Sequence, residues 1–371
     1  MITPLLCRVK FWVLVVGLGL GYPDYSHAQV DYWSEVGNTS PFNISNNGWQ
    51  GGAMCYNSVN GNLYIATYVS HTSPPEIAVW NGVSWTIDTV PASIQDSFPN
   101  LGTWFPVSAI CNDNQGNIYI GGLTQDSNSG IGVSYVLKWD GNNWTVVGNI
   151  ANAFVPNLGV YSMSYDHVNN YLYASLYPYT FGPQVVIKWD GSNWSQIGSF
   201  SDSSQNAAAA VFNSGGNLFA TAYMSSVSGN SGIAQNNIDE WNGSSWVPLD
   251  NIGWLSAPYT FYNNCIACSG PGNKFYTIGI DTSTEAACVY EWNGAAWHIL
   301  GTGNNGLNVN GPVYCVFADN AGNVYVSGDY YDSNGYRYIL KWDGNAWNEL
   351  GVNNLALHAN NWINLLAADS G

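Results

Sequence analysis

The side chains that could do chemistry are few and widely spaced. Cys265 and Cys268 stand at the separation of a redox or zinc pair, but no second such pair accompanies them. His71, His167, His298 and His358 fall on different predicted elements, and none has a partner at metal or triad spacing. No metal and no cofactor is therefore expected. Asp113, Asp166, Asp319 and Asp369 each precede a turn of the form Asp-x-x-Gly-Asn or a near variant. Such oxygens could bind calcium in an acid-rich loop. None of these loops is acid-rich, so each aspartate is expected to hold its own turn.

Glycoside hydrolysis requires two carboxylates facing one cleft. Asp281, Glu285, Asp329 and Asp332 lie in consecutive loops and could supply them, although nothing in the sequence sets them apart. No catalytic residue is assigned. After the first 28 residues the only arginine is Arg337, which excludes a pocket gripping a substrate carboxylate with several guanidinium groups. The formal charge of the chain is −17. Nucleic acid and anionic lipid are disfavoured as partners.

The elements that must position these groups come from a repeat. Six times the chain writes Trp-Asp/Asn-Gly-x-x-Trp, at Trp80/Trp85, Trp139/Trp144, Trp189/Trp194, Trp241/Trp246, Trp292/Trp297 and Trp342/Trp347. Trp33 is an earlier half-copy, and the period is about 52 residues. Asp-Gly or Asn-Gly between β-rich runs is a hairpin signal, because glycine reaches positive φ without a Cβ clash. It joins strand C to strand D and places two indoles opposite each other. Upstream, an apolar strand A turns at Gly61, Gly116, Gly216, Gly272 or Gly322 into strand B. The sixth copy has Asn170 there, and asparagine is the residue that best replaces glycine in a left-handed conformation.

Four-stranded antiparallel units with no helical period between them predict an all-β fold, a β-propeller. Residues 32–37 read as a lone strand D and residues 362–371 as a lone strand A. Six complete repeats plus these fragments predict seven blades, the last incomplete; six blades is the alternative. The chain ends where the next A–B turn would begin, about 20 residues short of a full copy.

Residues 1–28 have the form of a secretory signal: Arg8 and Lys10, an apolar run, then Ser26-His27-Ala28. The run is too short for a comfortable membrane span. Residues 29–371 are then expected as an exported, monomeric propeller domain, secreted or at the cell surface, with no membrane insertion. Cys55, Cys111, Cys265, Cys268, Cys288 and Cys315 are even in number, so disulfides are permitted and their pairing stays open.

In such blades the D–A and B–C connections emerge on one face, and here these are the long, variable loops. Trp49, Trp104, Trp254 and Trp362 lie in D–A connections or at the threshold of strand A, as do Phe105, Tyr161, Phe261, Tyr262 and Tyr314. Aromatic planes among many Asn, Ser and Thr side chains suit stacking on sugar rings or an aromatic protein contact. Plugging of the axial opening would use the same rings.

With the tryptophan repeat, the Gly-Asn-x-Tyr strand and the D-first closure in view, residues 30–371 resemble bacterial secreted propellers of the kelch-like and NHL-like kind. The resemblance implies a non-catalytic extracellular module. The function expected is recognition or adhesion, with a neutral glycan or an extracellular protein as partner. The alternatives are a hydrolase or lyase using loop carboxylates, and a structural surface protein.

Overall fold

The computed structural model describes residues 11–12, 53–68, 74–96, 101–104, 107–126, 131–148, 150, 158–178, 185–199, 209–214, 216–224, 235–249, 267–269, 274–281, 284, 286–319, 322–350, 359, 363 and 366–368. The first blade consists of β2 (Ala53–Asn57), β3 (Asn62–Tyr68), β4 (Pro75–Trp80) and β5 (Trp85–Thr89). A single helical turn, α1 (Ala92–Gln95), and β6 (Leu101–Trp104) lead into the second. That blade contains β7 (Ala109–Asn112), β8 (Ile118–Asp126), β9 (Gly132–Trp139) and β10 (Trp144–Val146). The third is β11 (Leu158–Asp166), β12 (Tyr171–Pro178), β13 (Val185–Trp189) and β14 (Trp194–Ser199). The fourth is β15 (Ala209–Ser214), β16 (Asn217–Met224), β17 (Gln235–Trp241) and β18 (Trp246–Pro248). The fifth is β19 (Ala267–Ser269), β20 (Phe275–Asp281), β21 (Ala286–Trp292) and β22 (Trp297–Ile299). The sixth is β23 (Val313–Ala318), β24 (Val324–Gly328), β25 (Leu340–Trp342) and β26 (Trp347–Glu349).

Within each blade the strands pair antiparallel in chain order, and successive inner strands lie side by side from β2 through β7, β11, β15 and β19 to β23. The turn glycines have the positive φ that the repeat demands, +73° at Gly61 and +99° at Gly141 among them, and Asn170 takes φ +59° in their place. At each C–D turn the Asp or Asn before the glycine accepts from the backbone N–H groups two and three residues on, as at Asp140 to Asn142 and Asn143.

All six tryptophan pairs sit directly opposite in register. Ring centroids are 5.2 Å apart in Trp292/Trp297 and 5.5 Å in Trp342/Trp347. The second indole also reaches the blade before it. Trp194 Nε1 donates to the Val147 carbonyl at 2.7 Å, and Trp347 Nε1 to that of Leu300 at 2.7 Å. Trp144 Nε1 donates to Asp88 at 2.5 Å. The chain end of the preceding strand D carries a glycine beneath this indole: a Cβ on Gly148 would lie 2.6 Å from Trp189 and 2.8 Å from Trp194. The core lies between blades, where Ile118, Ile120 and Leu137 pack against Tyr64, Ile77 and Val79 of the preceding sheet.

Seven blades is corrected to six among the described residues. Residues 32–37 lie outside them. Of the C-terminal fragment, Ile363 and Leu366 pack on Cys315, Tyr325 and Ile339 of the sixth blade, and β27 (Ala367–Ala368) lies beside β2. The fragment thus fills the space between blades six and one. Its strand partner is β1 (Phe11–Trp12), where an incomplete blade joining residues 32–37 to residues 362–371 was expected. The connection holding Trp104 is also more ordered than a loop: β6 pairs with the loop-side end of β8, with Trp104 opposite Thr124.

Candidate functional site

Of the eight aromatic positions proposed for ligand contact, Trp49, Phe105, Trp254, Tyr262 and Trp362 lie outside the described residues. Trp104 is placed by its backbone on β6. Tyr161 and Tyr314 share one feature. Each is the extra residue where the register of an inner strand slips against strand B, between Val160 and Ser162 and between Val313 and Cys315. A bulge re-aims a side chain and recurs next to functional sites. Both tyrosines are half-buried. At Tyr314 burial pushes the phenol pKa up, Asp329 adds to the rise, and Arg337 opposes it.

Asp329 and Arg337 belong to the B–C loop of the sixth blade, which runs beside the D–A segment carrying Asn310. Backbones meet closely there: a Cβ on Gly311 would stand 2.1 Å from the Asp329 carbonyl oxygen, and one on Gly328 2.1 Å from that of Pro312. Asn310 locks the two segments, its Nδ2 donating to the Tyr331 carbonyl at 2.8 Å and its Oδ1 accepting from the Tyr331 N–H at 3.0 Å. Asp332 holds the tip of the loop by accepting from the N–H groups of Asn334 and Tyr336. Arg337 exchanges two backbone hydrogen bonds with Ala359, which ties the loop to the C-terminal segment.

The guanidinium of Arg337 donates from Nε and Nη2 to Oδ1 of Asp329, at 2.8 and 2.7 Å. Its carbon lies 5.6 Å from the centre of the Tyr331 ring, within cation–π range. Tyr331 is 45% exposed and Tyr336 39%, the only exposed tyrosine, tryptophan or phenylalanine rings among the described residues. The loop therefore presents two aromatic surfaces around a neutral ion pair on a rigid frame.

Of the acids considered for hydrolysis, Asp329 is engaged by Arg337 and Asp332 by its turn, Asp281 ends β20, and Glu285 lies outside the described residues. Asp369 lies outside the described residues, and the other A–B turn acids are consumed locally. Asp113 accepts from the N–H groups of Gln115 and Asn117, from Asn117 Nδ2 and from the Tyr119 hydroxyl. Asp319 repeats this with Asn323 and Tyr325, and Asp166 uses Val168 and Asn169. No group of three metal-ligating side chains occurs among the described residues. Burial pushes the Cys55 and Cys288 thiols up to about 12, so both stay protonated and unreactive near neutrality. The pair Cys265/Cys268 has no described side chains.

Sequence reasoning named Asp329 and Arg337 singly, without joining them, and missed Tyr331 and Tyr336. The available signal was a loop, residues 329–338, with four tyrosines among its ten residues.

No protein-family model matches the chain, and no curated protein matches it either. Among solved structures, it is similar to the β-propeller domain of the Trilobed protease from Pyrococcus furiosus, which has an open velcro topology. The TM-score is 0.51 at 9% identity, covering 81% of this chain and 82% of that one. A Hadza microbial sialidase matches at TM-score 0.48 and 13% identity, over 75% of this chain and 63% of its own. SapL1 lectin in complex with alpha methyl fucoside matches at 0.46 and 14%, over 81% and 94%. The first of these shows that the fold is a β-propeller; none of them shows an activity.

Proposed function

We propose that this chain is an exported, non-catalytic β-propeller that recognises neutral glycans through the face bearing its D–A and B–C loops. One observation carries it. On the sixth blade the loop exposes Tyr331 and Tyr336 from a hydrogen-bonded frame, while its carboxylates are committed to Arg337 and to the loop tip. Rigid aromatic planes beside a carboxylate already held by a guanidinium favour binding over proton transfer. The tryptophan repeat supports placing the protein with kelch-like or NHL-like secreted propellers, and the leader-like residues 1–28 support export.

A printed glycan array probed with wild type, Trp104→Ala and Trp362→Ala tests the reading. Neutral glycans should be retained by wild type and weakened by both substitutions. If binding is unchanged in the two variants, those D–A tryptophans are not the contact surface. If wild type binds nothing, the glycan reading fails and a structural role gains. Sequencing the N-terminus of protein recovered from culture medium should begin at Gln29, so that the exported form has lost β1 from beside β27, and sedimentation should give a monomer.

A further inference from the structure

We infer that Asp329, Tyr331 and Arg337 form one sugar subsite on the sixth blade, taking a neutral pyranose through two adjacent hydroxyls and one C–H face. The inference rests on the glycan reading above and assigns it a place that the tryptophan positions do not include.

The bonding leaves specific valences open. Both short contacts from Arg337 converge on Oδ1 of Asp329, and no described residue bonds the second carboxylate oxygen. The side chains of Arg337 and Asp329 keep 24% and 32% of their exposure. A guanidinium has five N–H donors, and Arg337 spends three, the third on the Gly335 carbonyl at 3.2 Å. A carboxylate acceptor and guanidinium donors thus stand side by side, the pattern that a pair of neighbouring hydroxyls meets by donating from one oxygen and accepting at the next. Hydrogen bonds to charged groups are stronger than neutral ones. The half-exposed Tyr331 ring beside them offers its π-face to the axial C–H groups of a pyranose.

Frame rigidity follows from two independent ties. Asn310 holds the Tyr331 backbone from one side, and Ala359 holds the Arg337 backbone from the other. The site is therefore organised before a ligand arrives, which lowers the entropy lost on binding. Charge selects the ligand class. The ion pair is neutral as a unit and the chain around it has a formal charge of −17, so uronates and other acidic sugars are repelled.

The test uses the whole protein on a printed array of neutral and acidic oligosaccharides, with Asp329→Asn, Tyr331→Ala, Tyr331→Phe and, on the opposite tight-turn face, Asn345→Ala. Neutral glycans should be bound, and the signal should persist at about 1 M salt, where charge attraction is screened within about 3 Å. Affinity should fall at least about tenfold in Asp329→Asn and in Tyr331→Ala, and should hold in Tyr331→Phe, which keeps the ring, and in Asn345→Ala. Near-ultraviolet circular dichroism checks folding; if Asp329→Asn loses its native spectrum, the two Tyr331 variants decide. Wild-type binding that survives in both Asp329→Asn and Tyr331→Ala overturns this subsite and leaves the loop-face reading standing. Binding confined to acidic glycans overturns the ligand class, and absence of all glycan binding overturns both.

Discussion

Replacing Gly148 with alanine tests whether indole pairs fasten each blade to the one before. Gly148 has φ +63°, close to the left-handed well, so backbone strain alone costs about 1–2 kcal/mol. The added methyl would also stand 2.6 Å from Cζ3 of Trp189, 2.8 Å from Cδ1 of Trp194 and 3.0 Å from its Nε1. Trp194 cannot retreat without stretching its 2.7 Å bond to the Val147 carbonyl. Overpacking of this kind adds about 1–3 kcal/mol, for a total of about 2–5 kcal/mol. Gly141→Ala in the same blade is the control. Its φ of +99° lies further from the left-handed minimum, and no atom stands within 4 Å of the new methyl. Strain alone therefore makes Gly141→Ala the worse substitution; the indole contact reverses that order. Urea unfolding followed by tryptophan fluorescence and far-ultraviolet circular dichroism measures both. A loss of stability at Gly141→Ala equal to or larger than that at Gly148→Ala would refute the reasoning.

The remaining predictions use the same frame. Trp347→Phe removes the donor that satisfies the Leu300 carbonyl at 2.7 Å in a buried position, and should cost about 1–3 kcal/mol in urea unfolding. Asp319→Ala strips the partners of Asn323 and the Tyr325 hydroxyl, so a loss of about 2 kcal/mol is expected, whereas adding calcium or a chelator should leave the wild-type melting temperature unchanged. The buried thiols Cys55 and Cys288 ionise only near pH 12 in the fold but near their ordinary 9.0 when unfolded. Because the folded value is the raised one, their contribution is complete below about pH 9 and declines as pH rises towards 12. Unfolding midpoints at successive pH values should fall across that window, and a flat profile would contradict the burial of these thiols.

Short-range chemistry was the legible part of this fold. An Asp-Gly or Asn-Gly turn fixes its own backbone, so the C–D hairpins and the facing indoles follow from a few adjacent residues, as does the left-handed Asn170. Blade count depends on pairing between chain ends, and the partner of Ala367–Ala368 proved to be Phe11–Trp12, which no local pattern announces. Strand β6 was hidden for a similar reason: Leu101-Gly-Thr-Trp104 lacks alternation and is strand only because β8 extends past its partner β7. The role of Gly148 needed the third dimension as well, since its neighbours Trp189 and Trp194 come from the next repeat.

The candidate site divides the same way. Tyr314 was found because aromatic residues at the threshold of strand A recur from repeat to repeat, and the bulge that sets it apart is visible only in the register. Tyr331 and Tyr336 sit in a B–C loop whose sequence differs from repeat to repeat, so periodicity could not select them. Asp329 and Arg337 are eight residues apart across an irregular loop, and only the fold shows that they meet.

Hydrogen exchange with and without a neutral oligosaccharide selected on the array tests the assignment of recognition to this face most directly. The account predicts slowed exchange on the loop face, at residues 310–314 and 329–337 and beside Trp104 and Trp362, with the A–B turns at 113–117 and 166–170 unaffected. Protection centred on those turns, or spread evenly around the ring, would contradict it.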